Sequence, residues 1–296
     1  MLAVSNLRKV YDPTMLRCRR KDGDRRKVAV RNLSLMVGEG EVFGLLGHNG
    51  AGKTSAMKMM TGEEGLSVGR VEVTGLEVRS RQSSVYHQLG YCPQLDTVWP
   101  RLTLQEHLQL FARIRGVPER DIGGLVRSYL RGLHIEEHGD KASRDCSGGT
   151  KRKLSYGIAM VGEPRIVLLD EPSTGMDPQS KRFVWNTISS SFREGRGAVI
   201  TTHSMEEADA VCSRIGILVQ GELRRLGSSQ HLKNKFGAGY LLEIKTNDWD
   251  KLVSKVEELF PQAEIVESFK DSKIWSIKQV HVPSLTEAFK SLQKRK

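Results

Sequence analysis

Eight residues, GHNGAGKT from Gly47 to Thr54, carry the most explicit chemistry in the chain. They fit the spacing G-x-x-x-x-G-K-[ST], a loop that wraps phosphate groups. The apolar run from Glu41 to Leu46 before them reads as a buried parallel strand, and Ser55 to Met60 after them reads as a helix. Strand, glycine loop and helix together supply what an anion needs, because the free N–H groups of the helix start point at it. Gly50 and Gly52 let the backbone approach the phosphates, Lys53 supplies a point charge for the outer ones, and Thr54 offers a hydroxyl to Mg²⁺.

A second element of the same kind is Arg165 to Glu171, an apolar strand ending in two carboxylates. Such a strand delivers a rigid acid to the carboxyl edge of a parallel sheet, where the glycine loop holds its phosphates. Asp170 would anchor Mg²⁺, and Glu171, one residue on, could polarise a water attacking the γ-phosphate. Cys146-Ser-Gly-Gly-Thr150, ahead of a basic amphipathic helix, is a further anion site: Ser147 offers a hydroxyl, and Gly148 and Gly149 expose N–H groups. One nucleotide does not need two cradles from one chain. The economical reading is that the second binds the γ-phosphate of a nucleotide held by another subunit.

These groups need a framework, and the pattern supplies one. Leu2–Val10 and Lys27–Val37 alternate as half-buried antiparallel strands, and Val68–Val73 reads as another short strand. Thr103–Arg115, Asp121–Leu133 and Thr150–Val161 show helical spacing. Strands return at Arg165–Leu169 and Gly197–Thr201, and Ile215–Val219 with Gly221–Arg225 forms a hairpin. The composition breaks at Lys235–Gly239. Beyond it, strands at Tyr240–Lys245, Ala263–Ser268 and Lys273–Gln279, a helical stripe from Trp249 to Phe260 and a closing helix over Ser284–Lys296 suggest a small α+β appendage.

At 296 residues the chain can bury a full core, and no run approaches the length of an apolar span. The start lacks a signal peptide. Cys18, Cys92, Cys146 and Cys212 have no metal or disulfide spacing, consistent with a reducing cytosolic setting. The net charge of +11 is concentrated partly in Arg17–Lys27, a patch that nucleic acid, an anionic leaflet or plain solvent could each explain. Charge alone does not choose among them.

The order of Walker A (Gly47–Thr54), Q-loop (Tyr91–Gln94), signature (Cys146–Thr150), Walker B (Val167–Asp170), D-loop (Ser173–Asp177) and switch histidine (Thr201–His203) is similar to the nucleotide-binding domain of ABC transporters. The likeness covers about residues 1–237. GHNGAGKT, LGYCPQ, KRKLS, LLDEPSTGMDP and GSSQHLKNKFG resemble subfamily A, the lipid exporters, and most of all its second-half domains with an insertion after the first strand. Residues 238–296 resemble the small regulatory domain that follows these modules.

The resemblance implies an α/β fold: a P-loop NTPase core of the ABC type with an antiparallel β subdomain and a helical insertion at about 95–162, plus a small α+β C-terminal domain. It implies that Tyr11, Gly47, His48, Asn49, Gly50, Ala51, Gly52, Lys53, Thr54 and Ser55 bind ATP, with Tyr11 stacked on adenine. Thr54, Gln94 and Asp170 would serve Mg²⁺. Glu171, His203 and Gln94 would act in hydrolysis, Gln94 also relaying to a membrane domain. Ser147, Gly148 and Gly149 would reach a partner's nucleotide, and Asp177 would lie at the dimer interface. Cys146 and Thr150 depart from the family's usual Leu or aromatic and Gln or Asn, but the three phosphate-contacting residues are intact.

The expected function is therefore an ATP-hydrolysing motor that powers transmembrane lipid transport through head-to-tail dimerisation. A second nucleotide-binding domain and exporter transmembrane domains would be its partners, at the cytosolic face of a membrane and without direct nucleic-acid contact. Lacking a spanning segment, the chain is expected to be part of a longer polytopic protein. Two rivals make different demands. A non-transport ATPase acting on nucleic acid or ribosomes would show steeply salt-dependent RNA or DNA binding, and a regulatory module would bind ATP without turnover.

Overall fold

The computed structural model describes residues 1–11, 26–192, 195–236, 240–245, 253, 256, 260, 262–268 and 272–277. It divides into two compact units, Met1–Ser229 and Gln230–Lys296. The basic residues of 12–25 lie outside the described residues.

In chain order the first unit runs through β1 (Leu2–Tyr11), β2 (Lys27–Val37), β3 (Val42–Leu46), α1 (Lys53–Thr61), β4 (Val68–Val73) and β5 (Leu76–Glu77). Next come α2 (Gln82–Tyr86), β6 (Leu89–Cys92), α3 (Leu104–Ile114), α4 (Glu119–Gly132) and α5 (Gly148–Met160). The unit continues with β7 (Ile166–Asp170), α6 (Pro178–Ser191), β8 (Gly197–Thr202), α7 (Met205–Val211), β9 (Arg214–Val219) and β10 (Glu222–Gly227). Helix α8 (Ser229–Phe236) follows; the division between the two units falls at its first residue, whereas the boundary expected from the sequence stands just past its last.

Ten strands form one sheet in the order β5-β4-β1-β2-β10-β9-β3-β8-β7-β6. Its two ends follow different sequence rules. Strands β1, β2, β4 and β5 pair antiparallel and alternate inward apolar residues with outward polar ones. In β1, Leu2, Val4 and Leu7 are buried, and the alternation slips by one residue at a bulge where Asn6 takes φ 50. Strands β3, β6, β7 and β8 pair in parallel, with β9 parallel to β3. They read as near-continuous apolar runs because both faces are covered: all of β7 and β8 is buried. Burying a side chain such as Phe43, Leu45 or Met57 contributes about 1.5–3 kcal/mol each, and these residues join both ends of the sheet in one core.

Register places the chemistry. Leu46 pairs with Thr202, Asp170 with Thr201, and Cys92 with Leu169. The chain segments that leave β3, β6, β7 and β8 therefore emerge side by side at one carboxyl edge. Strand β6 was not anticipated: at four residues, it shows itself only by pairing with β7.

Helices α3, α4 and α5 occupy the segment expected to be helical. Thr103 and Glu106 close a reciprocal capping box on α3, and Ser147 caps α5. Asp177 with Pro178 starts α6, and Ser204 starts α7. Among the described residues no helix is long and apolar enough to cross a membrane.

The second unit contains β11 (Tyr240–Lys245), β12 (Glu264–Ser268) and β13 (Ser272–Ile277), antiparallel in the order β11-β13-β12. Val256, Phe260, Trp275 and Ile277 form its core. Of the expected helical stripe, Val253 and Val256 are helical; Trp249, Leu252 and Leu259, with the closing helix at Ser284–Lys296, lie outside the described residues.

Candidate functional site

The loop between β3 and α1 is pinned at its base. The Gly47 amide donates to Thr202 O at 3.1 Å, Ala51 to His48 O at 3.1 Å, and Gly221 to Ala51 O at 2.9 Å. Gly52 has φ 105, and a Cβ there would lie 2.4 Å from Ala29 O, so both conformation and space demand glycine. Gly50 has φ 83 and open space around it, so its requirement is conformational. His48, Asn49 and Gly50 are exposed at the crest, with His48 Nδ1 2.8 Å from Asn49 O. The first N–H groups of α1 have no intrahelical acceptor, and α1 has no acidic residue in its first turn. The result is a cradle with a positive end, fitted to phosphate.

Lys53 is buried at 5% exposure. Its ammonium donates to Gly47 O at 2.7 Å and His48 O at 3.2 Å, and pairs with Glu171 Oε1 at 3.3 Å. Glu171 is the convergence point of the sheet edge. Its Oε2 accepts from Gln94 Nε2 at 3.3 Å and Thr174 Oγ1 at 3.1 Å, and lies 3.4 Å from His203 Nδ1. Burial pushes this carboxyl up, but the charge of Lys53, the Thr174 hydroxyl and His203 outweigh it and hold it below the usual glutamate value. It is an ionised carboxylate near neutral pH.

Asp170 differs although it is adjacent. It is fully buried, and burial raises its carboxyl above the ordinary aspartate value against the hydroxyls of Thr201 and Thr54, which lower it. Thr201 also accepts from the Glu171 amide at 3.0 Å, so one threonine orients both acids. Asp170 Oδ2 has no hydrogen-bond partner among the described residues. An orphaned buried carboxylate oxygen beside the Thr54 hydroxyl is a donor set of hard oxygens, which suits Mg²⁺.

Tyr11, at the end of β1, reaches the same loop from the far side. Its hydroxyl donates to Glu64 and lies 3.3 Å from Ser55 Oγ, and Lys9 Nζ sits 4.9 Å from its ring centroid. The signature residues present a different picture. Ser147 Oγ accepts from Thr150 N at 3.1 Å and lies 2.9 Å from Thr150 Oγ1. A Cβ at Gly148 would meet nothing within 4 Å, and one at Gly149 would meet only ordinary contacts from 3.8 Å outward. Asp177 is exposed and caps α6 by accepting from Gln179 N and Ser180 N, both at 3.0 Å.

The structure thus brings Lys53, Thr54, Gln94, Asp170, Glu171 and His203 together, with Tyr11 and Ser55 at one flank. Ser147, Gly148, Gly149 and Asp177 stand on separate helix starts. Thr174 and Thr201 lie inside the D-loop and switch-histidine segments, but the sequence assigned neither a role; each acts through a single hydroxyl.

A family model described as "ABC transporter" matches residues 30–174. The human phospholipid-transporting ATPase ABCA3 is 52% identical over 74% of this chain and 13% of its own length. ATP-binding cassette sub-family A member 2 of Rattus norvegicus is 44% identical over 99% of this chain and 12% of its own length. The chain thus spans about an eighth of the curated relatives it matches. A dimeric, post-hydrolysis ATP-binding cassette bound to ADP and Pi covers 77% of this chain and 99% of its own, with a TM-score of 0.68 and 20% identity, which shows the shared fold. With the motifs, the register and these likenesses in hand, the chain belongs to the ABC transporter family, as an ATP-hydrolysing nucleotide-binding domain of subfamily A.

Proposed function

We propose that two such domains close head to tail around two Mg·ATP, and that closure and reopening drive transmembrane helices that move lipid. The observation that carries the paired arrangement is Gly148–Gly149. Neither conformation nor packing among the described residues requires glycine there. The space is therefore kept for something outside the chain, at a helix start suited to a γ-phosphate. The similar solved cassette is itself a dimer, and a relative is named as phospholipid-transporting.

In this reading ATP lies along Gly47–Ser55, with adenine against Tyr11. The outer phosphates draw Lys53 toward them and away from Glu171 Oε1. Gln94, Thr174 and His203 continue to hold Oε2, so the freed Oε1 faces and orients the lytic water. Asp170 and Thr54 would hold Mg²⁺, which supplies charge neutralisation on the phosphates. Asp177, exposed on the α6 start, joins the dimer interface. A groove of about 690 Å³, lined by residues including Tyr86, Tyr91, Phe111 and Ile114, lies beside the segment leading to Gln94 and is the landing surface for a membrane-domain helix. Ile114 is 61% exposed there, an unusual position for a large apolar side chain. In this reading the domain works at the cytosolic face of a membrane, with residues 238–296 as its regulatory appendage.

Ser147→Arg tests the arrangement. ATP affinity should stay at the parental value while dimer-dependent hydrolysis is lost. Equal impairment in an isolated monomer would contradict a role for Ser147 in the partner's site.

A further inference from the structure

Arg152 lies one turn into α5, in the basic run Lys151–Lys153, and is 4% exposed. Its guanidinium ties two segments, Pro93–Asp96 and Asp170–Pro172, to α5. Nη2 donates to Asp170 O at 2.7 Å and Glu171 O at 2.9 Å, and Nε donates to Pro172 O at 2.9 Å. Nη1 donates to Pro93 O, to Gln94 O at 3.3 Å and to Asp96 Oδ1 at 3.2 Å. Asp96 is in turn fixed by the Ser155 hydroxyl at 3.0 Å. A guanidinium carries five N–H groups in a rigid plane, so it holds these carbonyls at set angles to one another, which a flexible ammonium cannot do.

What it grips is specific. Glu171 has φ 49, the left-handed region that a non-glycine residue keeps only when its surroundings enforce it. Arg152 holds the carbonyls before, at and after that residue, and the carbonyl of Gln94, whose side chain meets the Glu171 carboxylate. The same side chain is anchored on the helix that begins at Ser147–Gly149.

We propose that Arg152 is a positioning residue for hydrolysis. It couples the seating of the signature helix to the placement of Glu171 and Gln94, so that the carboxylate and the amide are aligned only when α5 is in register. A partner's phosphate bound at the α5 start thereby reaches this domain's own hydrolytic carboxylate through one side chain. The proposal rests on the reading of Glu171 as the group that orients water.

The test uses the full-length protein. Arg152→Lys keeps a positive charge but cannot span both segments. Turnover should fall about tenfold or more, the scale expected for a misplaced catalytic group, while KM and equilibrium affinity for ATP stay within about twofold. Asp96→Asn keeps an acceptor for the guanidinium but removes its counter-charge, and should show a smaller fall with the same split. Parental turnover in Arg152→Lys overturns the proposal, and so does a parallel loss of ATP affinity, which marks a purely structural role. If Arg152→Lys does not fold, Asp96→Asn decides, and parental turnover there overturns it. Glu171→Gln measured alongside separates the two readings. Continued hydrolysis in Glu171→Gln removes the role of that carboxylate. If instead Glu171→Gln is inactive and Arg152→Lys is parental, only the role of Arg152 is removed.

Discussion

The loop Gly47–Thr54 and the turn Cys146–Thr150 both start helices on closely spaced glycines, and both are anion cradles by type. In the first, the fold itself explains the residues: Gly52 is forced by φ 105 and by Ala29 O at 2.4 Å, and Lys53 is tied into the loop at Gly47 O. In the second, nothing among the described residues accounts for two glycines, since Gly148 has open space and neither takes a positive φ. One half-site is organised by its own domain; on the proposed reading the other is shaped by a partner's nucleotide, and the chemistry is complete only when two domains pair.

That contrast can be broken most forcefully at Lys53. Lys53→Ala removes the point charge from the self-organised half-site, and ATP affinity should fall about 100-fold, roughly 2.7 kcal/mol, as read by nucleotide titration. Unchanged affinity would remove the phosphate loop from the argument. Gly52→Ala comes next. The strained φ and the backbone clash should cost about 2 kcal/mol or more of folding stability, checked by denaturant unfolding.

Asp170→Asn has the opposite sign. It relieves a buried acid with an unpaired oxygen, so thermal stability without nucleotide should rise about 2–4 °C, the size of a 1 kcal/mol gain in a domain of this length, while Mg²⁺-dependent hydrolysis is lost. A pH series sharpens this. Because the Asp170 carboxyl titrates above its ordinary value, its ionised form costs stability, and that cost is relieved as pH falls through the folded-state value. Glu171 runs the other way: its stabilisation is present above the ordinary carboxylate value and is lost only as pH falls through its depressed folded value. Lowering the pH from neutrality toward the carboxylate range should therefore raise the Mg²⁺ needed for half-maximal hydrolysis before Glu171 protonates. A constant Mg²⁺ requirement over that range would contradict the assignment of Asp170. The smallest effect is expected at Gly148→Ala. It should leave the single domain as stable or up to about 1 kcal/mol more so, since alanine favours helix, yet lower turnover in the assembled protein. A loss of stability comparable to Gly52→Ala would erase the distinction between the two cradles.

Much of this was legible before any coordinates. The strands β1, β2, β4 and β7 follow directly from alternation or continuous apolar runs, and Val68–Val73 matches its expected bounds. Lys53, Gln94, Asp170, Glu171 and His203 converge as the motif order implies. What escaped was information that lives in pairing and in backbone. Leu89–Cys92 is too short and glycine-containing to announce a strand, and becomes one only against Ile166–Leu169. Thr201 works by splitting its hydroxyl between the Asp170 carboxylate and the Glu171 amide, and no side-chain pattern encodes that division. Arg152 is read in sequence as one of three basic residues on an exposed-looking helix turn, whereas its acceptors are almost all peptide carbonyls contributed by distant segments.

Tyr11 and Lys27 face each other as the last rung of the β1–β2 ladder. That rung carries the ladder to the residue whose hydroxyl meets Ser55 and Glu64, so β2 and the helix after the phosphate loop both fix where the Tyr11 ring stands.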